Sequence, residues 1–137
     1  MPAQLLKCLD LGTQPIGSGP NPRVIGGVRF AVFDFAGVLQ ATSLIQATGV
    51  FVGLNCGFKL EITLPRGVTA VCMRLAHWAK PSKINFLSPA GSTVGTVTLA
   101  ATQNVAQEVV GSSTAGIKRI IVVPPSDETL LLSLCFG

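Results

Sequence analysis

The stretch FKLEITLP, residues 58–65, decides the fold. Its apolar residues Phe58, Leu60, Ile62 and Leu64 alternate with Lys59, Glu61 and Thr63. Side chains along a β-strand point to opposite faces with a period of two. The segment therefore reads as a strand with one face in a core and the other in water. Pro65 and Gly67 are expected to end it, because proline cannot donate to a central ladder.

The same alternation recurs on both sides. In VRFAVFDF, residues 28–35, Val28, Phe30 and Val32 share one face. In AVCMRLAHWA, residues 70–79, Val71, Met73, Leu75 and His77 lie on one face, with Arg74, Ala76 and Trp78 on the other. KINFL turns Ile84 and Phe86 inward, SPAGS carries turn residues, and TVGTVTLAA reads as a strand interrupted by Gly95. AQEVVG reads as a short strand and SSTAG as a loop. Ile120 and Val122 then share a face, which Ile117 joins only if a bulge falls near Lys118 and Arg119. TLLLSLCF closes the chain with Leu130, Leu132, Leu134 and Phe136 in phase, so Leu131 is expected on the opposite face, partly covered.

Sustained helical periodicity with capping signals is absent. Eight to nine short strands separated by turn residues indicate an all-β, antiparallel β-sandwich. The 137 residues fit one domain. Residues 1–27 are expected to form a strand followed by a long Gly/Pro-rich loop, LGTQPIGSGPNPRVIGG, lying across the sandwich. GVLQATSLIQATGVFVGLN, residues 37–55, reads either as two short strands or as a strand and a turn.

Charged residues make up 12% of the chain, against a usual share of about 25%. Such a surface is built from Ser, Thr, Gly, Asn and Gln, or part of its apolar area meets a partner. The net charge is +4, but the basic residues are scattered and tyrosine is missing. Nucleic-acid binders carry a clustered basic stripe with aromatic platforms, so that class is disfavoured. No apolar run is long enough for a membrane span. The N-terminus lacks a basic region followed by an apolar run, so production in the cytoplasm is expected, with a released particle as one setting.

Four cysteines, Cys8, Cys56, Cys72 and Cys135, include no Cys-x-x-Cys, which disfavours zinc. Reduced, buried thiols are expected. The pair best placed to join is Cys8 with Cys135, if the first and last strands are neighbours. The single histidine, His77, continues an inward row and reads as a rim residue. It lies five positions from Cys72, hence on the opposite face, which disfavours a Cys–His nucleophile. No G-x-S-x-G elbow, phosphate loop or H-E-x-x-H motif occurs, and no catalytic residues are assigned. Trp78, Arg74 and Leu131 are the candidate partner or ligand contacts.

The order GFKLEITLP, HWAKP, INFLSPAGSTVGTVTL and GIKRIIVVPPSDETLLLSLCF, with CLDLGTQP and GGVRF before it, resembles bacterial β-sandwich modules of the galactose-binding-like, jelly-roll, carbohydrate-binding-module type. That resemblance implies a jelly roll, and members with two possible properties. Carbohydrate-binding members stack sugars on exposed Trp and Tyr. Some members hold a structural calcium between acids near the chain ends. Here those acids would be Asp10, Asp127 and Glu128, helped by carbonyls of GTQPIG. No other cofactor is expected.

Two functions remain from this reading. The first is a non-catalytic structural module that self-associates as a homo-oligomer or packs in a shell, filament or tail-like particle. Low charge and apolar residues on both faces of the last strand support it. The alternative is a lectin-like, carbohydrate-binding module with a glycan partner.

Overall fold

A computed structural model describes residues 6–77, 81–100, 105–124 and 129–137. The described residues form eleven strands and one 3-10 turn, Leu11–Thr13. In chain order the strands are β1 (Lys7–Asp10), β2 (Gly17–Pro20), β3 (Arg23–Ile25), β4 (Val28–Phe33), β5 (Thr42–Thr48), β6 (Phe51–Asn55), β7 (Lys59–His77), β8 (Ser82–Leu87), β9 (Thr93–Leu99), β10 (Val105–Val123) and β11 (Leu130–Phe136). All pairings are antiparallel.

Two strands of 19 residues, β7 and β10, organise everything else. The first part of β7 and the last part of β10 pair with each other and take β4 and β8 on their outer sides. With β3 and β9 these make the first layer. The second part of β7 pairs with the first part of β10 and with β11. There β6, β5, β2 and β1 complete the second layer. Each long strand thus passes from one layer to the other, as strands do at the corners of packed sheets.

The corner lies where the sequence predicted breaks. On β7, Thr63 pairs with Arg119 and Val68 with Ile117, so residues 64–67 bulge opposite Lys118. Pro65 sits in that gap, where its missing N–H removes no ladder bond. On β10, Ser112 pairs with Ala70 and Ile117 with Val68, so residues 113–116 bulge in turn. Gly116 adopts φ +89° there, a conformation that side chains disfavour. Residues that were expected to end strands therefore turn them. The bulge expected near Lys118 and Arg119 is present, and Ile117 is buried with Ile120 and Val122.

The first 27 residues also differ from expectation. The Gly/Pro-rich stretch contains β2 and β3, which are edge strands paired on one side only. An edge tolerates Pro20 and glycines because half of its hydrogen bonds have no ladder partner. Arg23 ties the two edges: its Nε donates to Ser43 Oγ at 2.8 Å, and that hydroxyl donates to the Pro20 carbonyl at 2.6 Å. Residues 37–55 resolve as β5 and β6 joined by a two-residue turn at Gly49-Val50, with Gly49 at φ +60°.

One core fills the space between the layers. It includes Phe30, Val32, Leu60, Ile62, Leu64, Ile84, Phe86, Ile120 and Val122 from the first layer, and Leu54, Met73, Leu75, Val109, Leu134 and Phe136 from the second. The Phe86 ring lies where a β-carbon on Gly111 would come within 2.7 Å, so the core is filled right up to the β10 backbone.

The phase of the last strand is corrected at one point. A register shift between Leu131 and Ser133 reverses the phase: Leu131 pairs with Leu75 and joins the core at 0% exposure, whereas Leu130 pairs with Ala76 on the opposite face and is buried there at 1%. Leu132 becomes the half-buried residue. Leu131 is therefore a core residue and not a contact on a second apolar face.

Candidate functional site

The outer face of the first layer is set by the residues that alternate with the core. Three rows cross its strands. The first runs Val24, Arg29, Thr63, Arg119, Leu87, Thr93. The middle row is Ala31, Glu61, Ile121, Asn85, Thr96. The third holds Phe33, Lys59, Val123, Lys83 and Thr98.

Polar contacts hold these side chains in place. Arg119 Nη1 donates to Glu61 Oε1 at 3.1 Å. Thr96 Oγ1 donates to Asn85 Oδ1 at 2.9 Å. Lys59 Nζ stands 4.3 Å from the centre of the Phe33 ring, within cation–π range. Such surface pairs contribute at most about 1 kcal/mol each to stability. Their larger effect is to pre-arrange donors, acceptors and a ring on one face. The middle row is the least exposed of the three: Ala31 is fully buried between longer neighbours, and Glu61, Ile121 and Asn85 are half-buried. The face is thus a shallow polar trough with charged rims.

An aromatic pair, Phe35 with Phe58, follows β4 at the end of the third row. Beyond β4 the chain makes a turn in which Gly37 N–H donates to the Asp34 carbonyl at 3.0 Å. The Asp34 carboxylate accepts from the N–H groups of Ala36 and Val38, both at 2.9 Å. Gly37 takes φ +80°, as the turn requires. This rigid turn presents Phe35 at 83% exposure, with its ring edge-on to Phe58 at 6.0 Å and 72°. Val38 and Leu39 are exposed beside it in sequence, at 59% and 41%. A large ring held out in water by an Asx turn is a feature that core packing does not explain.

The second layer's outer face is different. Cys8 and Cys135 stand opposite each other on β1 and β11 and form a disulfide, S–S 2.07 Å. The expectation of four reduced thiols is corrected for these two, because the first and last strands are neighbours. Cys56 and Cys72 remain free. Burial pushes the Cys56 thiol up to about 12, against the lowering effect of a backbone hydrogen bond at Leu131. Cys72 is half-exposed and pairs across β7–β11 with Cys135. Arg74 is exposed on this face, between Ser133 and Glu108 in register.

The predicted site residues are scattered. Trp78, Asp127 and Glu128 lie outside the described residues. Asp10 is exposed, and its carboxylate accepts from Gly12 N–H at 2.8 Å, capping the 3-10 turn. Among the described residues, no group of three or more His, Cys, Asp or Glu is placed to hold a metal. Among them too, no helix is long and apolar enough to cross a membrane. Sequence reasoning sought Trp and Tyr as platforms and passed over phenylalanine. The signal was present in Asp34-Phe35-Ala36-Gly37, since Asp at the first and Gly at the fourth position mark a type I turn with the aromatic at its tip.

No protein-family model matches the chain, and no curated protein matches it. Solved structures do resemble it. A family 29 carbohydrate-binding module from Piromyces equi aligns with a TM-score of 0.54 at 8% identity, over 96% of this chain and 91% of that one. An arginine-to-alanine variant of a second family 29 module, described as probing ligand recognition, aligns with a TM-score of 0.57 at 8% identity, again over 96% and 91%. A tyrosine-to-alanine variant of that module aligns at 0.53 and 8%, over 97% and 89%.

The chain is accordingly an all-β, antiparallel jelly-roll sandwich of the kind seen in carbohydrate-binding modules. The likeness overturns the first functional expectation, a self-associating shell, filament or tail subunit, because the three solved structures named above, which share this sandwich, are carbohydrate-binding modules. One structural ground for that expectation, an outward Leu131, is also removed. Leu131 faces the core, and β1 is tied to β11 within the chain by ladder and disulfide.

Proposed function

We propose that this protein is a non-catalytic carbohydrate-binding module. The outer face of the first layer receives the glycan, and the exposed Phe35 ring stacks on it. The single observation that carries this reading is Phe35, held 83% exposed by a hydrogen-bonded turn beside a trough of fixed polar groups. Small-ligand sites combine apolar rings with a few placed polar groups, and this face has both. The similar structures' role in carbohydrate recognition supports the reading. On the trough, Glu61 is the one acid among the described residues and is already bound to Arg119, an arrangement suited to holding hydroxyls and not to acid–base work by a carboxylate pair.

The Cys8–Cys135 bridge supports a working place in an oxidising compartment, in preference to the cytoplasmic setting expected from the N-terminus. Native affinity electrophoresis against a panel of soluble plant, fungal and bacterial polysaccharides tests the function. At least one polysaccharide should retard the wild type and not Phe35→Ala. If none retards the wild type, the reading fails.

A further inference from the structure

The ligand's chemical class can be narrowed by the charge on the trough, an inference that rests on the carbohydrate-binding reading above. Among the described residues this face carries Arg29, Lys59, Lys83 and Arg119 against Glu61, a net charge of +3. The opposite outer face has Arg74 in register with Glu108, and Asp10 two strands away in the same row. The described residues elsewhere, Lys7, Arg23, Arg66, Arg74 and Lys118 against Asp10, Asp34 and Glu108, leave a net charge of +2, so this one face carries the larger share of the positive excess. We propose that the trough binds an acidic polysaccharide bearing one carboxylate per uronic acid ring.

The spacing of the cations supports this class over denser polyanions. On one rim Thr63 separates Arg29 from Arg119, and on the other Val123 lies between Lys59 and Lys83. Neighbouring strands lie about 4.8 Å apart, so the backbone positions that carry the cations on each rim stand roughly 10 Å apart. A nucleic acid carries a phosphate about every 3.4 Å along each strand and calls for contiguous cations. A uronic acid polymer has one charge per ring, which suits single cations set apart by hydroxyl and apolar groups. The trough already holds one carboxylate in the expected manner, since Arg119 Nη1 donates to Glu61 at 3.1 Å. The remaining guanidinium donors of Arg119, and all those of Arg29, can fork onto carboxylates of a ligand.

Isothermal titration with polygalacturonate and with the same polymer methyl-esterified tests the class, because esterification removes charge and leaves the backbone. The unesterified polymer should bind at least tenfold more tightly. Raising salt from 50 to 300 mM should weaken it severalfold, and Arg29→Gln with Lys83→Gln should remove most of that preference with an unchanged melting temperature. Equal affinity for both forms, or binding only to neutral mannans or glucans, overturns the acidic class and leaves the carbohydrate reading standing. Tighter binding to heparin or to single-stranded RNA than to polygalacturonate overturns the carboxylate assignment. Failure to bind any polysaccharide overturns the carbohydrate reading itself.

Discussion

The two outer faces of the sandwich share the same two long strands, yet they carry different chemistry. Where β7 and β10 run through the first layer, their outward residues are Lys59, Glu61, Thr63, Arg119, Ile121 and Val123. Where they run through the second, they are Cys72, Arg74, Ala76, Ala106, Glu108 and Val110. The first set contains the Arg119–Glu61 ion pair, and its Lys59 stands over the Phe33 ring of the neighbouring strand, two residues before the exposed Phe35. The second set lies beside a disulfide that closes the first strand onto the last. One continuous strand pair therefore supports the proposed contact face and a face for closure, separated by the bulged corner at Pro65 and Gly116. The difference teaches that two chemically distinct faces need not have separate strands. They need only a corner that lets the same strands present a second set of side chains.

The comparison breaks most visibly if the closing face is opened. The disulfide spans 127 positions in sequence, so in the unfolded chain it closes a very long loop. Replacing both Cys8 and Cys135 by serine should lower stability by on the order of 4 kcal/mol, seen as a lower urea midpoint. Glycan affinity at 10 °C should stay within about twofold, because none of the trough's residues touches the bridge. A stability loss below 1 kcal/mol would show that the ladder alone closes the sandwich.

Phe35→Ala is the converse. Burying a phenylalanine against a ligand contributes roughly 1.5–3 kcal/mol, so its loss should weaken binding about 10- to 100-fold by isothermal titration. At 83% exposure the ring adds little to the core, and the melting temperature should stay within about 2 °C. A variant that binds normally would remove the Phe35 ring from the site.

The sandwich was legible because alternation is a local signal. Leu60, Ile62, Val71, Met73, Ile120 and Val122 all point where their period places them. The corners were not legible in the same way. Pro65 and SSTAG announce a break in the ladder, but only the pairing of distant strands tells a strand that ends from one that turns. Leu131 was misplaced for a related reason: a single bulge reverses the phase, and the partner strand sets where it falls. The trough was hidden too, since Lys59, Glu61, Arg119, Asn85 and Phe33 come from four strands and meet only through register. The Asp34–Gly37 turn was readable in sequence, and the tip aromatic was overlooked because phenylalanine is usually a core residue.

A pH titration separates the core from both faces. Cys56 is fully buried, and its thiol is raised from 9.0 to about 12 in the folded chain. The unfolded chain therefore releases this proton first as the solution becomes alkaline. Folding stability tied to the protonated thiol is complete below about pH 9 and is lost as the pH climbs toward about 12. By pH 10 the loss should be on the order of 1 kcal/mol. Urea melts of wild type and Cys56→Ala should converge by that amount between pH 8 and pH 10. Parallel curves would mean that the thiolate finds solvation in the core.

The smallest expected effect is the most discriminating between the faces. Arg74 and Arg119 are both arginines on long strands next to acids, Glu108 in register with one and Glu61 bonded to the other. Net charge cannot distinguish their removal, because Arg74→Gln and Arg119→Gln each take one positive charge from the same protein. Location can. Long-range attraction between exposed charges falls off within about 8 Å at physiological salt, and the two faces lie on opposite sides of a packed core. Arg74→Gln should therefore change polysaccharide affinity by less than twofold, whereas Arg119→Gln should reduce it several-fold. Equal losses for the two variants would mean that the whole molecule's charge draws the ligand, and that the trough has no special claim to it.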